Sequence, residues 1–180
     1  MKTDGDHKKK LSKKEYIKQF TPSVGGYLYS GPEVFWGETR KRTLLILNGV
    51  SVLICVLLII CGCLQGIPLN GKFYVLIPYL IEAGLQILLF YTIGRLAANG
   101  NPLKLYIYQK TVEKIPLRTL LGAIFAGVTA AGMLLLQILE QTVYFGEGPL
   151  FMVFLLLIAA GNILQRKVIQ GCKWEEKKKQ

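Results

Sequence analysis

The residue whose type and surroundings most invite chemistry is Glu82, a carboxyl group set inside a long apolar run. It lies about nine residues into the run that opens at Phe73, roughly 13 Å deep at helical rise. A charge at that depth costs a few kcal/mol, so such a group faces the protein interior, finds partners or takes up a proton. Gln86 falls one helical turn further along the same face, and Tyr79 one turn before it. Pro78 removes a backbone donor close by and leaves a carbonyl for a neighbour to satisfy. Three roles fit this set: a hydrogen-bonded pin between helices, which is the plainer one, a carrier of protons or ions, and a contact with a partner subunit.

Other apolar runs hold polar groups of their own. Asn48, Ser51 and Cys55 form one stripe at helical spacing, Thr129, Gln137 and Glu140 lie on another run, and Asn162 on a last one. Glu82, Gln86, Asn48, Gln137 and Asn162 are therefore the candidate intramembrane polar or ion-coupling residues. Hydrogen bonds from such groups contribute about 0.6–2 kcal/mol each between membrane helices, which makes most of them packing glue. Gly122, Ala126 and Ala130 repeat every four residues, as do Gly127 and Ala131. Small residues at that spacing let helix backbones approach closely. Ala159-Ala160-Gly161 offers a complementary surface, and packing within the chain is favoured over dimerisation.

Much chemistry is excluded. The single histidine is His7, far from every apolar run, so a Ser–His or Cys–His nucleophile lacks its base. The aspartates are Asp4 and Asp6, which removes a paired-aspartate protease. No histidine-based metal site and no C-x₂-C zinc pair exist, and no phosphate-binding G-x-x-x-x-G-K-[ST] loop is present. The sequence thus predicts no cofactor and no metal. A thiol oxidoreductase is a remote alternative resting on Cys61 and Cys63, whose C-x-C spacing is not the usual redox pair.

The elements that must hold these residues are membrane spans. Apolar residues make up 52% of the chain and charged ones 18%, against a mean hydropathy of +0.39. The apolar residues gather in four blocks, at about 43–65, 73–97, 117–139 and 149–165, each long enough for a ~30 Å hydrocarbon core apart from a short fourth. Residues 1–29 read as a basic, flexible tail, and residues 171–180 as a second basic tail. Ser30-Gly31-Pro32-Glu33 has the form of a capping box, which predicts a short interfacial helix over 30–42. Leu103 to Ile115, after the breaker Asn99-Gly100-Asn101-Pro102, predicts a short amphipathic surface helix.

The formal net charge of +11 sits around these blocks rather than on a groove-reading helix, which argues against nucleic acid. Every Lys and Arg except Lys72 falls before the first block, between the second and third (counting Arg95 and Arg118 at their rims), or after the fourth. The positive-inside rule then sets both termini and the middle loop in the cytoplasm. The expected fold is an all-α integral membrane protein, a bundle of four transmembrane helices in the cell membrane. Its expected contacts are the lipid bilayer with its anionic headgroups and a membrane-protein partner or second copy. The expected role is a non-enzymatic accessory or interaction subunit. The alternative is a small transporter or channel component built on Glu82.

Overall fold

The computed structural model describes residues 20–23, 26–37, 39–64, 72–140 and 147–177. Four long helices dominate: α1 Arg40–Cys63, α2 Phe73–Ala98, α4 Ile115–Glu140 and α5 Glu147–Gln170. All four are long and apolar enough to cross a membrane. The short α3, Leu105–Thr111, runs through a single 3₁₀ turn into α4, so the amphipathic segment is continuous with the third span. Pro116 stands in the first turn of α4, where a missing N–H leaves no helical partner unpaired. The turn expected at 66–71, the loop at 141–146, residues 1–19 and residues 178–180 lie outside the described residues.

Each long helix packs against two others, and the contacts close a ring in the order α1, α2, α4, α5. Inside the ring lie two apolar clusters. One gathers Ile54, Leu58, Cys61, Val75, Tyr79, Met133, Phe151 and Ile158 at one end. The other gathers Val34, Trp36, Leu47, Ile93, Leu96, Leu103, Ile115 and Ile169 at the opposite end. The outward faces carry exposed Leu, Ile, Val and Phe along all four helices, a surface suited to hydrocarbon.

Two expectations are corrected. The fold is not all-α, and among the described residues between 30 and Arg40 there is no interfacial helix. Strand β3, Glu33–Trp36, stands there instead, between β4, Leu103–Lys104, and β5, Trp174–Lys177, in an antiparallel sheet. The capping-box sequence loses to period-two alternation: Val34 and Trp36 are buried, while Glu33 and Phe35 are half-buried. Helix α1 begins only at Arg40, with no side-chain cap from Thr39. The two tails are likewise structured in part. Strands β1, Phe20–Ser23, and β2, Gly26–Tyr29, pair with each other, and Phe20, Tyr29 and Tyr106 form an aromatic cluster beside α3.

The sheet is fastened by side chains. Asn101 accepts from the Trp36 amide at 3.0 Å and donates to the Trp36 carbonyl at 2.9 Å, continuing the ladder beyond β4. The Trp36 and Trp174 rings lie 4.6 Å apart, with Tyr108 edge-on to Trp174 at 5.0 Å. The Arg40 guanidinium donates to the Asn99 carbonyl, which ties the start of α1 to the end of α2. Replacing Asn101→Ala removes two hydrogen bonds worth about 1–3 kcal/mol together. The expected outcome is a lower Tm of the detergent-solubilised protein and faster proteolysis within residues 99–104, with the helical circular dichroism unchanged at 25 °C.

Candidate functional site

Between the two apolar clusters lies one polar layer that receives residues from all four long helices. Helix α1 supplies Ser51, α2 supplies Glu82 and Gln86, α4 supplies Thr119 and Gly122, and α5 supplies Asn162 and Gln165. Glu82, Asn162, Thr119 and Gln165 are fully buried, and Gln86 is 2% exposed. Helical spacing explains the set: Glu82 and Gln86 differ by four positions, Asn162 and Gln165 by three, so each pair shares a face.

The centre of the layer is a hydrogen-bonded triangle. The Gln86 amide nitrogen donates to Glu82 Oε1 at 2.8 Å and to Asn162 Oδ1 at 2.7 Å. The Asn162 amide nitrogen donates to the same Glu82 Oε1 at 3.0 Å. These bonds join α2 to α5, which stand opposite each other in the ring. Gly122 of α4 is the floor of the triangle. A Cβ there would lie 3.0 Å from both Asn162 Nδ2 and Glu82 Oε2, a tight contact that the hydrogen-bonded side chains would have to yield to by a few tenths of an ångström. A second group sits one turn away, where Gln165 Nε2 donates to Ser51 Oγ at 2.7 Å and to the Leu47 carbonyl at 3.2 Å.

Not every atom is matched. Glu82 Oε2, Gln86 Oε1 and Gln165 Oε1 are buried oxygens with no hydrogen-bond partner. Each such oxygen costs about 1–3 kcal/mol where it stays unpaired. No Lys, Arg or His occurs along 43–63, 73–94, 119–140 or 147–165. The basic groups nearest the layer along the chain are Arg118, next to Thr119, and Arg166, next to Gln165. Arg118 turns to the Leu88 carbonyl at 3.0 Å and to the Thr92 hydroxyl. Comparison with protein-family models, with curated proteins and with solved structures found no match.

Of the candidates read from the sequence, the structure brings Glu82, Gln86 and Asn162 into one contact set. Asn48 and Gln137 are half-buried and take no part in it. Ala126 and Ala130 are buried along the same α4 stripe as Gly122, whereas Gly127 has open space around it and Ala131 is exposed. Gly161 meets Ile54 and Val50 of α1, not the α4 stripe. Close approach to α2 comes from Gly132, whose Cβ position lies 3.0 Å from the Tyr74 carbonyl. That carbonyl is the one Pro78 deprives of its helical donor. Cys61 is buried and Cys63 exposed, and neither is in a disulfide. Gln165 was not among the sequence candidates, although its spacing from Asn162 marks it as a face-mate.

The site makes a sharp comparison available. Gly122→Ala pushes a methyl group against the triangle, while Gly127→Ala adds one in open space. The first substitution should lower the Tm by several °C in detergent, and the second should leave it unchanged or raise it slightly. Equal Tm for both variants would contradict the described floor of the layer.

Proposed function

We propose that this chain is a small non-enzymatic subunit of a membrane assembly. In this reading it is a bundle of four transmembrane helices with both termini in the cytoplasm. Its basic cytoplasmic face meets anionic lipid headgroups and a partner protein or second copy. One observation carries the proposal: the β3–β4–β5 sheet joins the segment before α1, the segment after α2 and the segment after α5. Three stretches that the charge pattern assigns to one side are thus bonded to each other at one end of the helices. Arg40, Lys41, Arg42, Arg95, Lys104, Lys110, Lys114, Arg118, Arg166, Lys167 and Lys173 all flank that end, and Lys72 alone flanks the other among the described residues.

The arrangement also bears on the transport alternative. The polar layer is closed from both ends by apolar clusters, which supports a pin between helices over a continuous polar route. No group of three or more His, Cys, Asp or Glu able to hold a metal occurs among the described residues. Cys61 and Cys63 have no facing thiol pair to exchange with, which weighs against the oxidoreductase alternative.

Two measurements test the proposal. In a cysteine-free background, an impermeant maleimide added to intact cells should label Lys72→Cys and leave Lys167→Cys unlabelled until the membrane is opened. The reverse pattern would overturn the orientation. For the lipid contact, each basic residue near an anionic leaflet contributes about 1 kcal/mol. Replacing exposed Lys41, Arg42, Lys114 and Lys167 together by Gln should weaken phosphatidylglycerol retention by up to roughly three orders of magnitude. Native mass spectrometry in mild detergent reads this directly, and unchanged retention would remove anionic lipid from the proposed contacts.

A further inference from the structure

The polar layer holds an imbalance that the cytoplasmic face does not explain. Its three unmatched buried atoms, Glu82 Oε2, Gln86 Oε1 and Gln165 Oε1, are all oxygens, and one of them belongs to a carboxyl group. The amide nitrogens of Gln86, Asn162 and Gln165 are all engaged. The layer's unpartnered atoms are thus acceptors, each able to meet a donor or a positive charge. Oxygen-only sites carrying one negative charge are suited to hard, small cations. From α1, α4 and α5 the layer receives Ser51, Thr119, Gly122, Asn162 and Gln165, none of which ionises. The nearest thiol along α1 is the half-buried Cys55, and Glu140 and Glu147 stand at the far ends of α4 and α5. Glu82 is therefore the single acidic group among these residues; of the cations nearest along the helices, Arg118 is engaged by Leu88 and Thr92, and Arg166 lies one turn beyond Asn162.

We propose that the layer is a binding site for one monovalent cation, held by Glu82 and Gln86 with Asn162 fixing both side chains. The chemistry is a single positive charge among oxygens, delivered as a proton or as a sodium-sized metal ion. Gln165, one turn along α5, offers a further oxygen on the same face. The triangle keeps Glu82 Oε1 for the two amides, so the cation takes the free Oε2. Gly122 matters here because a side chain at that position would occupy the space beside Oε2.

The test uses the full-length protein in detergent and in liposomes. Its Tm is measured in NaCl and in choline chloride at equal ionic strength, across pH 5 to 9, for the parent and Glu82→Gln. A metal ion bound well above its Kd should raise the parent Tm by about 5 °C in NaCl, more at high pH, and the shift should vanish in Glu82→Gln. A proton as ligand gives a parent Tm that falls as pH rises, independent of sodium, and again absent from Glu82→Gln. Gln86→Leu should weaken the response at least tenfold in ion concentration while keeping its form. Should Glu82→Gln fail to fold, infrared difference spectra of the parent on exchanging sodium for choline, or on stepping pH, report the buried carboxyl directly. A parent whose Tm and carboxyl bands ignore both sodium and pH, or a response that survives in Glu82→Gln, overturns the proposal.

Discussion

A carboxyl group in an apolar interior can persist only where its oxygens meet donors or its charge is balanced, and Glu82 sets that constraint on this fold. Its Oε1 receives one amide from its own helix and one from the helix opposite. Satisfying it therefore requires α2 and α5 to face each other at one height. Gly122 lets the α4 backbone run close beside the triangle, where a Cβ would meet Glu82 and Asn162 at 3.0 Å. Ser51 and Gln165 repeat the arrangement between α1 and α5. The apolar clusters on either side keep the layer away from water, which strengthens each of these hydrogen bonds.

The same need to satisfy polar groups shapes the rest of the molecule. Thr92, Thr119 and Thr129 return their hydroxyls to carbonyls one turn back in their own helices, so they place no demand on neighbours. The Tyr79 hydroxyl reaches the Leu58 carbonyl from α2 to α1. The carbonyl that Pro78 leaves without a donor faces Gly132, where the α4 backbone comes near. At the other end, chain segments leaving α2 and α5 and entering α1 expose backbone groups. The β3–β4–β5 sheet and Asn101 consume them.

How much of this the sequence discloses depends on the range of the forces involved. Helix α2 was legible almost to the residue, since hydropathy acts over one segment and Asn99 to Pro102 stops it. Glu82 and Gln86 were legible as a pair because four positions on a helix are neighbours in any fold. Their link to Asn162 was not, because it joins residues 76 and 80 positions apart and depends on which helices stand opposite. Gln165 is hard to read from the sequence for a related reason: the fourth span extends to Gln170, so a residue expected at its rim lies within it. The sheet was invisible on principle. Strands of two to four residues carry almost no periodic signal, and β3 finds its partners near positions 103 and 174. The Ser30 to Glu33 pattern misled because a local cap competes with ladder hydrogen bonds that only the finished fold supplies.

Apolar packing alone does not explain why these helices choose one register. Lipid tails are as apolar as leucine, so sliding one span along another within the bilayer loses little burial. Directional contacts discriminate where burial does not. A one-turn slip of α5 would take Asn162 away from Glu82 and Gln86, and Gln165 away from Ser51, leaving buried donors and acceptors unpaired on three helices at once. The small residues act in the same sense, since Gly122, Gly132 and Gly161 each stand where specific residues of neighbouring helices come close. The polar layer thus fixes the height of the helices, and the apolar clusters supply attraction without choosing it. A carboxyl group costly to insert is tolerable in such a design because the cost falls on every wrong register more heavily than on the right one.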